Sequence, residues 1–204
     1  MNCDPIARWY RWLEYLGFGG ELQRRRIAFL DDIAGARRAL MLGEGDGRVL
    51  VRLVDAMRRT PGASIDYVDL SLKMLELARG RAGTQCVVYH HADALSLPLP
   101  EGEYDLVCTH FFLDCLNEQD AARLVDRVAG AMKPQARWVV SEFRRQTWWA
   151  RAVVRSLYWF FLVTTGLKTT RLVDHHPLLE RAGFRLERVE TARLGLLVSE
   201  LWAR

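Results

Sequence analysis

The chain has 204 residues, of which 50% are hydrophobic and 26% are charged, and its formal net charge is +4. This length and composition are those of an ordinary globular protein and predict one domain over residues 1–204. Of the 29 basic residues 26 are arginines, in short runs interleaved with acids, so the sequence excludes the dense basic stripe expected of a nucleic-acid-binding protein.

The four cysteines predict a reducing compartment. None of them forms a C-x-x-C pair, and Cys86 and Cys108 lie in apolar runs, where cysteine behaves as a small hydrophobe. The first residues show no signal-peptide pattern, and the longest apolar run, 153–163, is interrupted by Arg155 and is shorter than the ~20 residues that a membrane span needs. We therefore predict a cytoplasmic protein.

The first 36 residues predict a helical cover. Asp4 and Pro5 form a typical helix start, an aromatic-rich stretch follows over 6–16, and residues 21–33 predict a second helix. The aromatic side chains of the first stretch are suited to packing the edge of the core.

The stretch 39–57 predicts a buried strand, a tight turn and a helix. An apolar run ends in Gly43-Glu44-Gly45-Asp46-Gly47, and apolar residues at helical spacing follow. Glycines allow the backbone to turn tightly and a ligand to lie against it, and the helix start offers unpaired N–H groups. A turn that binds nothing is the open alternative.

Two further strands end in acidic segments. The strand predicted over 63–68 ends in Asp69, with Leu70 beside it, and a helix is predicted over 72–81. The strand predicted over 85–90 is followed by Asp93 and Ala94. Asp69 can bind the two hydroxyls of a ribose, or it can cap the next helix together with Ser71. Metal binding by the histidines at 90 and 91 is not expected, because neighbouring strand residues point to opposite faces.

The second half of the chain predicts two more parallel strands, an insertion and a closing hairpin. The strands cover 103–110 and 136–140, separated by a helix over 119–132, and an aromatic and arginine-rich helical insertion covers 144–173. A helix over 174–182 and two β runs at 184–192 and 194–202 complete the chain. Alternation of strands and helices indicates right-handed crossovers and a parallel sheet.

These motifs together resemble the class I S-adenosylmethionine-dependent methyltransferases. The alternating glycines at 43, 45 and 47, the string YVDLSLKMLELAR around Asp69, the residues Asp93-Ala94 and the YDLV string at 104–107 occur in the family's order. The resemblance implies a three-layer α/β/α Rossmann-like fold, with a mostly parallel seven-stranded sheet and an antiparallel C-terminal strand. It also implies S-adenosyl-L-methionine as cofactor, ribose binding by Asp69 and adenine binding by Asp93 and Ala94. Tyr10 resembles an aromatic residue that closes over the cofactor in some relatives.

The sequence departs from the family at one position. Met41 replaces the acidic residue that normally helps to hold the methionine end of the cofactor, and Glu44 and Asp46 within the turn are the predicted substitutes. The family reaction is an in-line methyl transfer that needs a base when the acceptor is a hydroxyl or an amine. His110, at the carboxyl end of the fourth strand, is the predicted base and an additional cofactor contact, with Asp114 orienting it; positioning the substrate or packing beside Phe111 is the alternative. His175 and His176 are expected at the surface.

The predicted acceptor is a small apolar or aromatic molecule. The segment 141–143 resembles the strand-five end of quinone-biosynthesis C-methyltransferases, and the insertion, especially 148–163, suits an apolar lid, a peripheral membrane contact or plain core packing. A nicotinamide oxidoreductase is the alternative enzyme, although Arg48 stands where its fingerprint needs a third glycine. A non-catalytic S-adenosylmethionine-binding partner or regulatory protein is the alternative outside the enzymes, because Met41 lacks the usual carboxylate.

Overall fold

The computed structural model describes residues 4, 12, 15, 17–144, 150, 152–156, 164 and 172–204. Its centre is a seven-stranded sheet of order β3-β2-β1-β4-β5-β7-β6, in which β7 runs antiparallel to both of its neighbours and all other pairs are parallel. The strands are β1 (Arg38–Leu42), β2 (Ser64–Asp69), β3 (Val87–His91), β4 (Tyr104–His110), β5 (Met132–Phe143), β6 (Arg185–Ala192) and β7 (Leu197–Ala203). The sheet predicted from the sequence, with its antiparallel C-terminal strand, is confirmed.

Helices pack on both faces of this sheet. They are α1 (Glu21–Arg26), α2 (Arg48–Met57), α3 (Leu72–Ala82), α4 (Glu118–Ala131) and α5 (His176–Arg181). Ser71 and Asn117 cap α3 and α4 by accepting hydrogen bonds from the backbone N–H groups of Met74 and Asp120. No helix within the described residues is long and apolar enough to cross a membrane.

The core has two layers because the central strands are buried on both faces. One layer joins α2 and α3 to the face that carries Met41, Tyr67 and Cys108. The other joins α4 and α5 to the face that carries Leu40 and Val68. Continuous apolar runs such as Ala39–Leu42 are typical of parallel strands that are covered by helices on both sides. The three-layer α/β/α architecture is therefore present.

Two element boundaries differ most from the prediction. The helix predicted over 21–33 ends at Arg26, and only Asp31–Ile33 forms a further 3₁₀ turn. The carbonyl of Arg25 accepts one hydrogen bond from Ser199 Oγ at 2.6 Å and another from the N–H of Ala28, three residues later in the chain. An α-helix would instead join residues four apart, so the α-helical pattern is not continued.

The fifth strand also begins earlier than predicted. The helix before it was expected to end at Met132, but Met132 is the first residue of β5 and pairs with Tyr104. The register between β4 and β5 shifts beyond this pair, and Gln135 adopts a positive φ of 65°. This irregularity accommodates Pro134, which has no N–H to donate to the ladder.

Candidate functional site

The candidate site lies along the carboxyl edge of the parallel strands. In the pairing of the parallel strands, Leu42 of β1 lies beside Val68 of β2 and Thr109 of β4, and Asp69 of β2 lies beside His91 of β3. Chain order reverses between β1 and β4, because β2 and β3 lie on one side of β1 and β4 lies on the other. Open α/β sheets bind ligands in the crevice at such a switch point.

The glycine turn after β1 is shaped by its neighbours in the fold. Gly43, Gly45 and Gly47 have φ values of 62°, 89° and 82°. A Cβ on Gly43 would lie 2.1 Å from the Phe112 ring, and one on Gly47 would lie 2.5 Å from Ala78 Cα in α3. Because these two glycines have no Cβ, Phe112 and Ala78 can pack directly against the turn. Glycine also allows the left-handed backbone conformation.

The two acids within the turn are occupied by protein groups. Glu44 accepts hydrogen bonds from Gly47 N–H at 3.1 Å, Val49 N–H at 3.3 Å and Tyr67 OH at 3.2 Å. Burial raises the pKa of Glu44 to about 7, although the nearby guanidinium of Arg26 lowers it.

Asp46 likewise has partners within the fold, since it forms ion pairs with Arg48 and Arg81, each at 2.8 Å. The prediction that Glu44 and Asp46 hold the methionine end of the cofactor stays a prediction. The geometry favours a different role for both acids, namely holding the turn itself.

Asp69 lies at the end of β2, beside the glycine turn. Its Oδ1 accepts a hydrogen bond from Ser71 N–H at 2.8 Å, and a hydrogen bond from Gly45 N–H also favours its charged form. Burial outweighs these contacts and raises the pKa of Asp69 to about 6. Ser71 Oγ caps α3, so the cap does not depend on the Asp69 side chain, and Leu70 between them is 40% exposed.

The segment after β3 is braced against α4. Asp93 Oδ1 accepts a hydrogen bond from Leu95 N–H at 2.9 Å, and the carbonyl of Ala94 accepts one from Arg127 at 2.8 Å. His90 and His91 have separate partners, Asp66 Oδ1 at 2.7 Å and the Leu70 carbonyl at 3.1 Å. The two imidazoles therefore do not converge with Asp93.

His110 lies in surroundings that disfavour the base predicted from the sequence. It is buried, and its Nδ1 lies 3.0 Å from Ser141 Oγ rather than forming the predicted pair with Asp114. Burial, with a contribution from the Arg26 charge, lowers the pKa of His110 to about 3. A group with so low a pKa has little driving force to take a proton at neutral pH.

A buried pair of carboxyl groups lies beside this position. Glu142, at the end of β5, is 2% exposed, and its Oε1 accepts hydrogen bonds from Phe112 N–H at 3.2 Å and Leu113 N–H at 2.8 Å. Its Oε2 accepts no hydrogen bond from an N–H or O–H group in the described parts of the chain, and the side chain of Asp114 lies against it. Burial raises the pKa of both acids, that of Asp114 to about 6. Two such carboxyls can share one proton.

A further buried carboxylate, Glu200 in β7, organises the histidines that were expected at the surface. His175 is buried, and Nε2 of both His175 and His176 lies 2.8 Å from Glu200. Trp202 donates to the same carboxylate at 3.0 Å, and Arg144 forms an ion pair with it.

The surface expectation for His175 is therefore wrong, because Glu200 draws this side chain into the interior. His175, His176 and Glu200 could hold a metal ion by distance, since their ligand atoms lie within 4.8 Å. The four donors, one of them the cationic Arg144, already satisfy the carboxylate, so we assign the group to hydrogen bonding. The sequence signal that could have indicated this buried group is Glu200 itself, an acid within the otherwise apolar run that forms β7.

Aromatic rings pack together beside Glu142, at the carboxyl edge of the sheet. Phe143 packs against Phe111 at 4.9 Å and against Phe18 at 5.4 Å between ring centroids. Ala150 and Val154, in the insertion, belong to the same apolar cluster as Phe18. Tyr10 and most of the range 148–163 lie outside the described residues.

Comparisons with known proteins agree with this arrangement. A family model described as a methyltransferase domain matches residues 39–135. A demethylmenaquinone methyltransferase of Thermus thermophilus is 34% identical over 131 residues, which cover 63% of this chain and 57% of that protein. The mitomycin biosynthesis 6-O-methyltransferase of Streptomyces lavendulae is 26% identical over 187 residues, which cover 91% of this chain and 52% of that protein. The chain thus spans little more than half the length of these two relatives.

A solved structure shows the same fold. The S-adenosylmethionine-dependent methyltransferase from Mesorhizobium loti superposes with a TM-score of 0.68 at 22% sequence identity. The match covers 92% of this chain and 98% of that chain.

Proposed function

We propose that the chain is a class I S-adenosylmethionine-dependent methyltransferase that transfers a methyl group from S-adenosyl-L-methionine to a small apolar or aromatic acceptor. The observation that carries the proposal is the position of the Asp69 carboxylate, next to Gly45 of the turn, at the switch point of the sheet. A carboxylate beside an open glycine turn suits a ribose with its attached amino-acid chain.

The residues present fit this cofactor. Asp69 would bind the ribose hydroxyls, and Asp93 and Ala94 would meet the adenine across the edge of β3. Leu70 is exposed beside Asp69 and would pack against the nucleoside. When bound, the cofactor supplies an activated methyl group, so the protein needs no nucleophile of its own. Its tasks are to align the acceptor with the methyl group and to exclude water.

The aromatic edge supports an apolar or aromatic acceptor. Phe143, at the end of β5, packs against Phe18 and against Phe111, which follows β4. The relatives named for demethylmenaquinone and for mitomycin biosynthesis support the same class of small molecule. The single-domain organisation, the cytoplasmic location, the contact of 148–163 with a membrane and the absence of a nucleic-acid partner stay predictions.

The proton lost by the acceptor needs a receiver, and we assign it to the Asp114–Glu142 pair rather than to His110. The two carboxyl groups lie against each other, and the pair can hold an additional proton without a buried ion being created. The carboxylate would take the proton of the acceptor as the acceptor's oxygen, nitrogen or carbon bonds the methyl carbon, while the bond between the methyl carbon and the sulfonium sulfur breaks and S-adenosylhomocysteine leaves as the neutral thioether. Asp114→Asn is expected to lower kcat about 100-fold, the scale of general base catalysis, with cofactor affinity unchanged.

The proposed function is tested by titration and by methyl transfer. Isothermal titration calorimetry should detect binding of S-adenosylmethionine and S-adenosylhomocysteine, and no heat with NAD⁺ as the control ligand. Incubation with methyl-labelled cofactor and a panel of quinols and phenols should transfer label to at least one acceptor. Absence of binding at millimolar cofactor would overturn the proposal, and binding without transfer over the panel would favour a non-catalytic cofactor-binding protein.

A further inference from the structure

The strand β6 forms one edge of the sheet. Within the described residues it pairs with β7 on one side, and no strand engages the N–H and C=O groups of its other side. Most of its side chains are exposed, and they include two apolar ones, Leu186 at 38% and Val189 at 43%. An exposed sheet edge that carries apolar side chains is a template for pairing with another strand.

The apolar side chains of β6 share one face of the sheet. Leu186 and Val189 lie opposite Trp202 and Glu200 of β7. Trp202 belongs to the core layer of α5, and Glu200 bonds His175, which precedes that helix. Leu186 and Val189 therefore border the α5 side of the edge.

The other face of β6 is charged. Arg188 donates to both carboxylate oxygens of Asp32, at 2.7 and 2.8 Å, and Glu190 pairs with Arg25 at 3.0 Å. The register against β7 shifts between residues 186 and 188, which keeps Glu187 on this face as well, 3.7 Å from Arg137. The side chains of Arg188 and Glu190 are still 51% and 37% exposed, so both remain accessible from the edge. The charged set is Arg185, Glu187, Arg188 and Glu190.

The segment 185–190 is complementary to itself when it is read in the opposite direction. In an antiparallel pair of two copies, centred between residues 187 and 188, Arg185 faces Glu190 of the second copy and Leu186 faces its Val189. Glu187 likewise faces Arg188 of the second copy. Every pair in this register joins opposite charges or two apolar side chains, and the members of each pair lie on the same face of the sheet. Such cross-strand pairs stabilise antiparallel strands.

Neighbouring registers lack this match. A shift of two residues in one direction brings Glu187 against Glu190 of the second copy, and a shift in the other direction brings Arg185 against Arg188. A parallel pair in register would place each charged side chain against its own kind. Like charges directly opposite each other destabilise a strand pair. The charges that protect this edge from other strands therefore specify one antiparallel register.

We propose that β6 pairs with β6 of a second copy of this chain in that register, so that the two seven-stranded sheets become one continuous sheet. The two-fold axis is perpendicular to the sheet, so the carboxyl edges of the two copies point in opposite directions and both crevices stay open. A single strand pair buries less surface than a standard protein interface, so the dimer should form at micromolar rather than nanomolar concentration. This inference does not rest on the proposed function.

Sedimentation equilibrium with charge-reversed variants tests the register. Arg185→Glu alone and Glu190→Arg alone each place like charges opposite each other twice in a homodimer, so each should weaken dimerisation at least about 10-fold. An equimolar mixture of the two variants should dimerise at least about 10-fold more tightly than either variant alone, because the mixed dimer again joins opposite charges at both positions. Arg59→Glu changes an exposed arginine outside the strand and should dimerise like the wild-type protein.

A measurement on the wild-type protein complements the variants. Hydrogen exchange of the β6 amide groups should slow as the protein concentration rises through the range of dimerisation, and this readout requires no variant to fold. Wild-type protein that stays monomeric at millimolar concentration, or a dimer whose β6 amide groups exchange as they do in the monomer, overturns the inference. A dimer that neither charge reversal weakens overturns it as well, as does a mixture of folded variants that stays as weak as its components.

Discussion

The two halves of the site edge are built from different kinds of contact. At the ends of β1 and β2, each carboxylate accepts hydrogen bonds from backbone N–H groups close in the sequence, Glu44 from Gly47 and Val49 and Asp69 from Ser71, in addition to contacts with more distant groups such as Tyr67 OH. At the ends of β4, β5 and β7, the partners are distant. Glu142 holds the segment that follows β4, and Glu200 holds two histidines that precede β6.

This difference separates ligand recognition from stability. A locally built turn can present groups to a ligand, and losing one of its ligand contacts should weaken binding more than folding. The acceptor half joins four elements through buried charges, so a change there should act on folding as well as on chemistry. The predictions below test this division, beginning with the largest expected effect.

Glu200→Gln should cause the largest loss of stability. Replacing the carboxylate leaves Arg144 without its buried counter-charge and removes acceptor capacity from two histidines and an indole, so the free energy of unfolding should fall by about 3–5 kcal/mol. Urea denaturation at pH 7 measures this. Glu190→Gln, a partly exposed acid paired with Arg25, is the control and should change stability by no more than about 1 kcal/mol. Similar losses in the two variants would contradict the assignment of Glu200 as an organising group.

Gly47→Ala tests the packing of the turn against α3. The new Cβ would lie 2.5 Å from Ala78 Cα at a φ of 82°, and strain plus overpacking should lower the free energy of unfolding by about 3 kcal/mol. Gly130→Ala, at a helical site with open space, should be neutral or slightly stabilising. An unchanged denaturation midpoint for Gly47→Ala would show that the turn adjusts freely.

Glu44→Gln tests the buried acid of the turn through pH. The folded-state pKa of Glu44, about 7, exceeds its usual value of 4.5, so the folded state binds more protons than the unfolded state between these pH values. The contribution of Glu44 to stability should therefore be full below pH 4.5 and decline by at most about 3 kcal/mol as pH rises to 7. The difference between wild-type and Glu44→Gln unfolding free energies, measured from pH 4.5 to 8, should show this slope; parallel curves would contradict it.

Asp69→Asn should weaken cofactor binding and leave stability nearly unchanged. Loss of charged hydrogen bonds to the ribose should reduce affinity for S-adenosylhomocysteine about 10- to 100-fold. Because the pKa of Asp69 is about 6, wild-type affinity should also fall as pH drops below 6, and Asp69→Asn should lack this dependence. Calorimetry at pH 5 and 7.5 measures both effects, with the exposed acid Asp55 changed to Asn as control. Equal affinities of wild type and Asp69→Asn would place the ribose elsewhere.

His110→Gln should have the smallest effect on turnover. A residue with a pKa near 3 is neutral at working pH, and glutamine can keep the hydrogen bond to Ser141, so kcat should change by less than about threefold. Steady-state kinetics with the best acceptor measures this. A loss of 100-fold or more, with cofactor affinity intact, would restore His110 as the base.

The sequence by itself determined the order of the elements and the positions of the residues that we propose for cofactor binding. Apolar runs and β patterns predicted every strand of the sheet, and the glycine turn and Asp69 follow directly from the strands that carry them. These features are readable because the left-handed conformation of the glycines and the hydrogen bond from Ser71 to Asp69 depend on residues within a few positions of one another.

Only the tertiary structure decided the rest. Ser199, more than 170 positions away in the chain, donates a hydrogen bond to the carbonyl of Arg25 at the end of α1, and the adjacent Arg26 is buried. Glu200 turns an expected surface histidine into a buried one, and burial lowers the pKa of His110 far below the range of a useful base. Long-range partners and desolvation depend on which surfaces the fold brings together, and no local spacing encodes them.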